Sequence, residues 1–305
     1  MKKIYIAGCG GMLGEAFYEQ FKNDYILKCT DIDLNAPWLS YLDFRDYDAY
    51  FQDVSDFNPD YLFHLGAYTD LEWCEKHADD VYKTNVQSVS NAVNVANRLN
   101  IPILYISTAG IFDGYKEEYI DTDLPNPVGV YAKSKYQGEQ IVCREANRFI
   151  VCRAGWMMGG GPMKDKKFVQ KIMRQIKDGV SEIRVVDDKK GTPTYSYDFA
   201  NQVKLLIQEE LWGVYNCVCS GKTNRVDIVK AIVEILNISD KIKVEQVPSS
   251  YFQTDYFAER PACECLINNK LNDKGVNVMR NWRVCLEEYI RKYYQEYCNI
   301  IKGNF

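Results

Sequence analysis

The sequence predicts an α/β fold in which a doubly wound parallel sheet is followed by a smaller C-terminal α+β lobe. Strand-type and helix-type hydrophobic patterns alternate through the first half of the 305 residues, a glycine-rich segment joins the first strand to the first helix, and the rhythm changes after Arg153. Strands that alternate with helices form right-handed crossovers, which place the strands parallel in one sheet. The length suits about two domains at roughly 150 residues each.

The alternating patterns place the elements of the first half in order. Short runs rich in β-branched and aromatic residues predict strands at 2–7, 25–29, 61–65, 103–106 and 149–152. Apolar residues at helical spacing predict helices at 12–21, 81–99 and 130–146. We therefore expect a first domain at residues 1–155.

Three glycines and a proline at 159–162 interrupt the chain before the second half. The same patterns then predict helices at 168–177, 198–208, 225–236 and 284–297, strands near 183–186, 214–218 and 242–246, and a turn at 191–194. We expect residues 156–305 to form mainly a second lobe, while 192–218 returns to complete the first domain.

Composition excludes several classes of protein. The chain has 37 Lys and Arg against 42 Asp and Glu, with no basic run that would bind nucleic acid. No stretch approaches the roughly 18 apolar residues of a membrane span, and the start lacks the apolar core of a signal peptide, so we expect a cytoplasmic protein. There the 11 Cys are expected to be thiols, and the two His lie near no cysteine pair, which predicts no metal site.

Segment 8–14 reads GCGGMLG and contains the spacing G-x-x-G-x-x-G in Gly8, Gly11 and Gly14. Glycines between a first strand and a first helix permit a tight turn and close approach of the backbone to a pyrophosphate, whose charge the helix N-terminus stabilises. A plain strand-to-helix turn is the alternative for a glycine loop taken alone. The position at the start of the chain favours dinucleotide binding.

An acidic residue follows the second predicted strand. Asp31 lies 17 residues after Gly14, close to the spacing at which a carboxylate binds the adenine ribose hydroxyls. Such a carboxylate repels a 2′-phosphate, so Asp31 favours NAD over NADP. Asp33 is a competing candidate, and a solvated loop acid is the alternative for both.

The most specific chemical pattern is YAKSK at 131–135, because Tyr131 and Lys135 share one helical face. A nearby ammonium favours the phenolate form of a tyrosine. Thr108, 23 residues before Tyr131, follows the fourth strand, at the sheet edge where ligands bind. Two residues on an exposed helix are the alternative for the Tyr–Lys pair alone, but the three side chains together predict a proton relay beside a nicotinamide.

These motifs resemble the extended short-chain dehydrogenase/reductase superfamily, with its Rossmann dinucleotide domain, and within it the dTDP-4-dehydrorhamnose reductase family. The resemblance covers nearly the whole chain. It is carried further by LDFRD at 42–46, NPDYLFHLGAYTD at 58–70, Glu75, Asn85, STAGIFDG at 107–114, NPVGVY at 126–131, GE at 138–139, RAGW at 153–156, GTPT at 191–194 and RP at 260–261.

The resemblance implies reduction of the C4 keto group of a nucleotide-linked deoxysugar by NADH or NADPH, in polysaccharide biosynthesis. Tyr131 would be the general acid, Lys135 would bind the nicotinamide ribose and lower the Tyr131 pKa, and Thr108 would bind the substrate oxygen. The residues implied to line the cofactor are Gly8, Gly11, Met12, Leu13, Gly14, Asp31, Asp43, Ala67 and Tyr68, together with Tyr131 and Lys135.

Trp156 would contact the sugar nucleotide through its apolar ring, and Arg260 would form a charge-assisted bond to phosphate. Packing between the lobes is the alternative for Trp156, a surface ion pair for Arg260, and a helix N-terminal acid for Asp43. We expect His64 to be a structural hydrogen-bonding residue. His77 is expected to be solvated.

One departure from the family pattern bears on substrate. Reductases of this family usually read STDYVF, with the Asp and Tyr touching substrate, whereas this chain has Ala109 and Gly110. Their lack of acids argues against a 4,6-dehydratase, but small residues are compatible with an NAD-dependent nucleotide-sugar 4-epimerase. A non-catalytic, cofactor-binding regulatory subunit, similar to the β subunit of methionine adenosyltransferase, is the third alternative. The nucleotide, the sugar and the oligomeric state, including a homodimer, stay open.

Overall fold

A computed structural model describes residues 1–295 and residue 297. Its first half alternates strands and helices as expected. The elements in chain order are β1 (Lys3–Ala7), α1 (Gly14–Phe21), β2 (Ile26–Asp31), β3 (Leu39–Tyr41), α2 (Tyr47–Phe57), β4 (Tyr61–His64), α3 (Leu71–Lys76), α4 (Ala78–Tyr82), α5 (Ser88–Arg98), β5 (Ile103–Thr108), α6 (Gly129–Glu145) and β6 (Phe149–Ala154).

The second half contains shorter strands between helices. Its elements are β7 (Trp156–Met158), α7 (Gly161–Lys164), α8 (Phe168–Lys177), β8 (Glu182–Val186), β9 (Lys190–Gly191), β10 (Pro193–Tyr195), α9 (Ser196–Gln208), β11 (Gly213–Asn216), β12 (Thr223–Asn224), α10 (Arg225–Ile235), β13 (Lys243–Val247), β14 (Cys263–Glu264), α11 (Asn269–Asp273) and α12 (Trp282–Tyr293).

Two of the expected elements differ in the structure, and a third extends beyond the described residues. The segment 191–194, expected as a turn, instead belongs to β9 and β10, because β10 pairs with β7 and β9 pairs with β12 and β14. The helix expected at 81–99 is interrupted by a π-helical turn at Lys83–Gln87. The last expected helix, 284–297, includes residue 296, which lies outside the described residues, as do residues 298–305 of the expected second lobe.

Seven parallel strands form the main sheet in the order β11, β6, β5, β4, β1, β2, β3. The chain order reverses at β1, which lies between β4 and β2. Ligands of such sheets bind outside the carboxyl ends of the strands at this switch point. The edge strand β11 comes from the second half of the chain and pairs with β6, with Val214 opposite Val151.

Apolar cores cover both faces of the sheet. Successive residues of a strand point to opposite faces, and β1 is buried on both, with Ile6 in one core and Tyr5 in the other. The first core contains α1 and α9, whose Phe17 and Phe199 rings lie 6.3 Å apart. The second contains α2, α5 and part of α6. The sheet is therefore a rigid platform whose strand ends are fixed in position.

The ten described cysteines form no disulfide. Within the same residues, no helix has the length and apolar character of a membrane span. No cluster of three or more potential metal-ligating side chains occurs among them either.

Candidate active site

The glycine loop follows β1 at the switch point and approaches the loop after β4. Gly8 has a positive φ of 76°, and a Cβ on it would lie 2.3 Å from the Cα of Gly66. A Cβ on Gly14 would lie 1.6 Å from the carbonyl oxygen of Cys9. Gly11 differs, because a Cβ there would meet no atom within 4 Å. Gly8 and Gly14 are thus required by packing, whereas Gly11 leaves open space over the loop.

Leu13 precedes α1 and packs against the first core. The Met12 backbone faces the second half of the chain, since a Cβ on Gly159 would lie 2.9 Å from the Met12 carbonyl oxygen. The triple-glycine segment therefore packs directly on the glycine loop.

Asp31 ends β2 beside that loop. Its carboxylate accepts hydrogen bonds from the backbone N–H of Gly10, at 2.8 Å, and from that of Asp33, at 3.0 Å. Asp33 itself is exposed and accepts a bond from Asn35 at 3.0 Å. The structure places the carboxylate of Asp31, rather than that of Asp33, against the glycine loop. Gly10, which the sequence did not single out, completes this contact.

Asp43 lies close to Asp31, because the backbone N–H of Leu42 donates to the Asp31 carbonyl at 3.2 Å. The Asp43 carboxylate is paired with Arg45, whose Nε lies 2.8 Å from Oδ1, and this guanidinium lowers the Asp43 pKa. It does not cap α2, since Asp46 accepts the N-terminal hydrogen bond from Ala49. The helix N-terminal alternative for Asp43 is therefore wrong.

Ala67 and Tyr68 lie in the loop after β4 and are held by Asn85. The buried Asn85 side chain accepts from the Tyr68 N–H at 2.8 Å and donates to the Tyr68 carbonyl at 3.0 Å. It also lies 3.0 Å from Ser134 Oγ on α6. Asn85 belongs to the π-helical turn, a feature that often marks functional positions in helices. This turn thus fixes the loop relative to α6.

Thr108 ends β5, and Tyr131 is the third residue of α6. The Thr108 Oγ1 accepts a hydrogen bond from the Gly110 N–H at 3.1 Å. Burial raises the Tyr131 pKa to about 12, and a hydrogen bond with Thr108 lowers it. The net shift is the reverse of the lowering expected from Lys135, because the cost of burying a phenolate dominates. Tyr131 is therefore held as a phenol.

Lys135 is buried and lies against β5. Its ammonium is 4.2 Å from the centre of the Tyr105 ring, and the Tyr105 hydroxyl donates to the Lys135 carbonyl at 3.0 Å. Burial lowers the Lys135 pKa to about 7, and the Glu139 carboxylate opposes that shift. Glu139 is itself bound to the buried Arg153 of β6, with Arg153 Nη2 2.6 Å from Oε1. Contacts with β5 and, through Glu139, with β6 thus fix this lysine.

The start of α6 is fixed from α3. Glu75 Oε1 accepts a hydrogen bond from the Val130 N–H at 2.7 Å. Gly129, with φ of 70°, comes within reach of the same carboxylate. Because an N-terminal acid stabilises a helix through its free N–H groups, Glu75 positions the turn that carries Tyr131.

The two histidines behave as expected. His64 is buried, with Nδ1 3.3 Å from the Tyr50 hydroxyl and Nε2 3.2 Å from Ser88 Oγ, and burial lowers its pKa to about 3. It is a neutral structural residue. His77 is exposed and stacks on Trp73 with ring centres 4.3 Å apart.

Trp156 lies at the start of β7 and is contacted on several sides. Its indole Nε1 donates to Glu264 Oε2 at 2.7 Å. The Arg225 guanidinium lies 3.7 Å from the ring centre. A Cβ on Gly191 would lie 2.5 Å from the ring, which explains the glycine of the GTPT segment. Trp156 therefore joins segments of the second half and is not a freely exposed ring.

Arg260 is tied to the first half. Its Nη2 lies 2.7 Å from Glu72 Oε1 on α3, and Nη1 donates to the Ala258 carbonyl at 2.8 Å. Arg260 therefore forms an ion pair in this structure, as the alternative for this residue predicts. Its side chain is 29% exposed.

Arg225 and Glu264 were missed by sequence reasoning. Arg225 is the first residue of α10, where the helix dipole disfavours a cation, and burial lowers its pKa to about 10. Glu264 stands between two cysteines in β14, so alternation turns its side chain away from theirs. A basic residue at a helix start and a charge between apolar strand residues were the available signals.

A match to a known protein family covers nearly the whole chain. The family model described as the RmlD substrate binding domain matches residues 1–295. The chain belongs to the RmlD substrate-binding family. This membership accounts for the resemblance seen in the motifs and for the seven-stranded Rossmann-type sheet.

Relatives of this RmlD-family chain cover it almost end to end. A dTDP-4-dehydrorhamnose reductase of Aggregatibacter actinomycetemcomitans is 29% identical over 304 residues, covering 96% of this chain and 99% of the relative. A dTDP-4-dehydrorhamnose reductase of Bacillus anthracis, crystallised with NADP, is 28% identical with a TM-score of 0.87, covering 95% of this chain and 99% of that one. The methionine adenosyltransferase 2 subunit beta of Danio rerio is 24% identical, covering 91% of this chain and 86% of that relative.

Proposed function

We propose that this chain reduces the C4 keto group of a nucleotide-linked deoxysugar, in the manner of dTDP-4-dehydrorhamnose reductases. The observation that carries the proposal is the hydrogen bond between Tyr131 and Thr108 at the end of β5, with Lys135 one turn further along α6 and a glycine loop at the switch point. The names of the relatives support the substrate class.

The residues of the first half fit a nicotinamide dinucleotide. Gly11 leaves the open space that a pyrophosphate needs, and the start of α1 lies beside it. Asp31, whose carboxylate contacts the glycine loop at Gly10, would bind the adenine ribose, which favours NADH, while the Bacillus anthracis relative was crystallised with NADP. We therefore propose NADH or NADPH, with Asp31 as the residue that favours NADH. Met12, Leu13, Asp43, Ala67 and Tyr68 would line the rest of the site.

Tyr131 would donate the proton. Tyr131 would give its phenolic proton to the C4 oxygen, while the reduced nicotinamide, when bound, would supply the hydride to C4, so that the ketone would become a secondary alcohol. A phenol whose pKa is raised to about 12 stays protonated at neutral pH, as a proton donor must. Lys135 would stabilise the phenolate that remains and bind the nicotinamide ribose.

Thr108 would align the carbonyl. Its oxygen accepts from the Gly110 N–H, and its single proton, now shared with Tyr131, would turn to the substrate oxygen. With Tyr131 it would form two donors for the charge that develops on that oxygen during hydride transfer.

The second half would hold the sugar nucleotide. We assign cofactor binding to residues 1–155, completed by 192–218, and substrate binding mainly to 156–305. Trp156 would form an apolar wall for the sugar, and Arg260 would exchange its bond to Glu72 for a phosphate of the nucleotide.

Replacing Tyr131 with Phe tests the proposal. We expect Tyr131→Phe to lose turnover of dTDP-4-dehydrorhamnose by at least about 1000-fold, because the proton donor is removed, while the Kd for NADH or NADPH changes little. The matched control is Tyr136→Phe, which removes a hydroxyl from the same helix. Retained turnover in Tyr131→Phe would contradict the assignment.

Two other outcomes would point to the alternatives. Sugar epimerisation without added reductant, by protein that retains NAD on purification, would favour a 4-epimerase. No turnover of any nucleotide sugar, combined with co-purification of a catalytic partner, would favour a regulatory subunit, as the Danio rerio relative's name suggests for that protein. The presence of all three catalytic side chains supports the reductase.

A further inference from the structure

A half-buried carboxylate stands beside the proposed catalytic groups and has no part in the mechanism above. Glu264 reaches Thr108 and Gly110 from β14, a segment more than 150 residues later in the chain. A Cβ on Gly110 would lie 3.4 Å from Glu264 Oε1 and 3.5 Å from Thr108 Oγ1. The two oxygens therefore flank one point, the space above Gly110.

The two oxygens of Glu264 have different surroundings. Oε2 accepts the indole N–H of Trp156 at 2.7 Å, which fixes the carboxylate. Among residues 1–295 and 297, the Trp156 N–H is the hydrogen-bond donor found at this carboxylate, so Oε1, which lies toward Gly110 and Thr108, keeps acceptor capacity for a ligand. A carboxylate in this setting favours a hydroxyl or amine donor.

The negative charge of Glu264 attracts the nearby Arg225 guanidinium. That attraction raises the Arg225 pKa, against the lowering caused by burial. The two side chains form no ion pair within 4 Å. Arg225 instead stacks on Trp156 at 3.7 Å and on Phe168 at 4.5 Å. It holds the indole that in turn holds Glu264, so the carboxylate has a defined position and keeps one oxygen for a ligand.

We propose that Glu264 positions the sugar by accepting a hydrogen bond from the hydroxyl on C3, the carbon next to the keto group. This inference rests on the proposed function. If Thr108 binds the C4 oxygen of the sugar, then Glu264 Oε1, which lies on the other side of Gly110, would be next to a substituent of a carbon bonded to C4. Of the two neighbours of C4 in a 6-deoxy-4-keto sugar, C3 carries the hydroxyl and C5 carries the methyl group. Glu264 thus selects 4-keto sugars that have a donor at C3.

The inference is tested by a cycle of two substrates and two proteins. dTDP-4-dehydrorhamnose and its 3-deoxy analogue are assayed with wild type and with Glu264→Gln, which retains an acceptor for Trp156 but turns an amide N–H₂ toward the sugar. We expect kcat/KM to fall about 10- to 100-fold when either the C3 hydroxyl or the carboxylate is removed, the range for a charged hydrogen bond. Removing both should cost little more than removing one.

Glu264→Ala serves as the second variant, and Glu118→Gln, an exposed carboxylate paired weakly with Lys222 at 3.5 Å, is the control for loss of a charge. Unchanged Kd for the dinucleotide shows that each variant is folded. Equal losses on the two substrates in both Glu264 variants would overturn the assignment of Glu264 alone. A wild-type protein that reduces neither substrate would overturn the proposed function, and this inference with it.

Discussion

The glycine loop and the Trp156–Arg225–Glu264 cluster are built in different ways. The loop is a set of close backbone contacts made largely within the first 66 residues, and Gly8 and Gly14 lack side chains because a Cβ would not fit there. The cluster joins three charged or polar groups from β7, α10 and β14, and Trp156 and Glu264 are 108 residues apart. Packing fixes the first region and electrostatics positions the second. Under the proposed function, the first would hold the dinucleotide, whereas the second would select the sugar.

The largest expected effect is on stability, and it should distinguish two glycines of the glycine loop, Gly14, which is needed for packing, and Gly11, which is needed for dinucleotide binding. Gly14→Ala places a Cβ 1.6 Å from the Cys9 carbonyl oxygen and should destabilise folding by about 3 kcal/mol or more. Gly11→Ala has open space around it, so its Tm should stay within a few degrees of wild type. We expect it to weaken dinucleotide binding about tenfold, because a methyl group occupies the pyrophosphate space. Thermal unfolding and dinucleotide titration of both variants measure the difference. Equal Tm values would contradict it.

Replacing Lys135 measures what a buried charge in the first half of the chain costs in stability. Lys135→Met should abolish activity but stabilise the fold by about 1–3 kcal/mol at pH 6, since a buried ammonium is removed. The folded-state pKa of about 7 lies below the unfolded value of 10.5. The burial cost is therefore complete below pH 7 and fades as pH rises toward 10.5, because the folded protein has already released its proton.

Chemical denaturation of wild type and Lys135→Met at pH 6, 8 and 10 checks this pH dependence. The stability gap should narrow as pH rises. A gap that widens, or a variant less stable than wild type at pH 6, would show that the Tyr105 contact outweighs the burial of the charge.

Asp31 links the loop to cofactor choice. Asp31→Asn keeps an acceptor for the Gly10 N–H but loses the charge that repels a 2′-phosphate. The ratio of NADPH to NADH efficiency should rise about tenfold, or about 1.4 kcal/mol. Asp33→Asn, an exposed neighbour, is the control and should leave the ratio unchanged. A response from Asp33 instead would make it the ribose ligand.

The smallest effect concerns the ion pair between the two halves. Glu72→Gln breaks a partly exposed pair with Arg260 and should cost less than about 1 kcal/mol of stability. It should lower KM for the nucleotide sugar two- to threefold, at about unchanged kcat, because Arg260 no longer leaves a carboxylate to bind phosphate. Steady-state kinetics measure both values. A higher KM would mean that Glu72 orients Arg260 for substrate.

Sequence reasoning succeeded where the determinants are local. The glycine loop, the strand that ends at Thr108 and the helical pair Tyr131 and Lys135 depend on spacings of a few residues, so the element order and the family followed from the sequence. Asp31 could be placed beside the glycine loop because β2 pairs directly with β1.

Long-range contacts were beyond such spacings. Arg225 and Glu264 meet Trp156 only because three separate segments converge, and no local period encodes that meeting. The high pKa of Tyr131 was missed for a related reason, since burial from several elements outweighs a neighbour four residues away. The π-helical turn at Asn85 was also hidden inside a continuous helical pattern.

The central claim is hydride transfer to a sugar carbon with proton donation by Tyr131. The most direct test uses reduced nicotinamide carrying deuterium at its transferable C4 position, dTDP-4-dehydrorhamnose, and product analysis by NMR and mass spectrometry. We predict one deuterium at C4 of the reduced sugar from wild type and no labelled product from Tyr131→Phe. Labelled product from Tyr131→Phe at the wild-type rate, or an unlabelled epimer from wild type without consumption of reductant, would contradict the account.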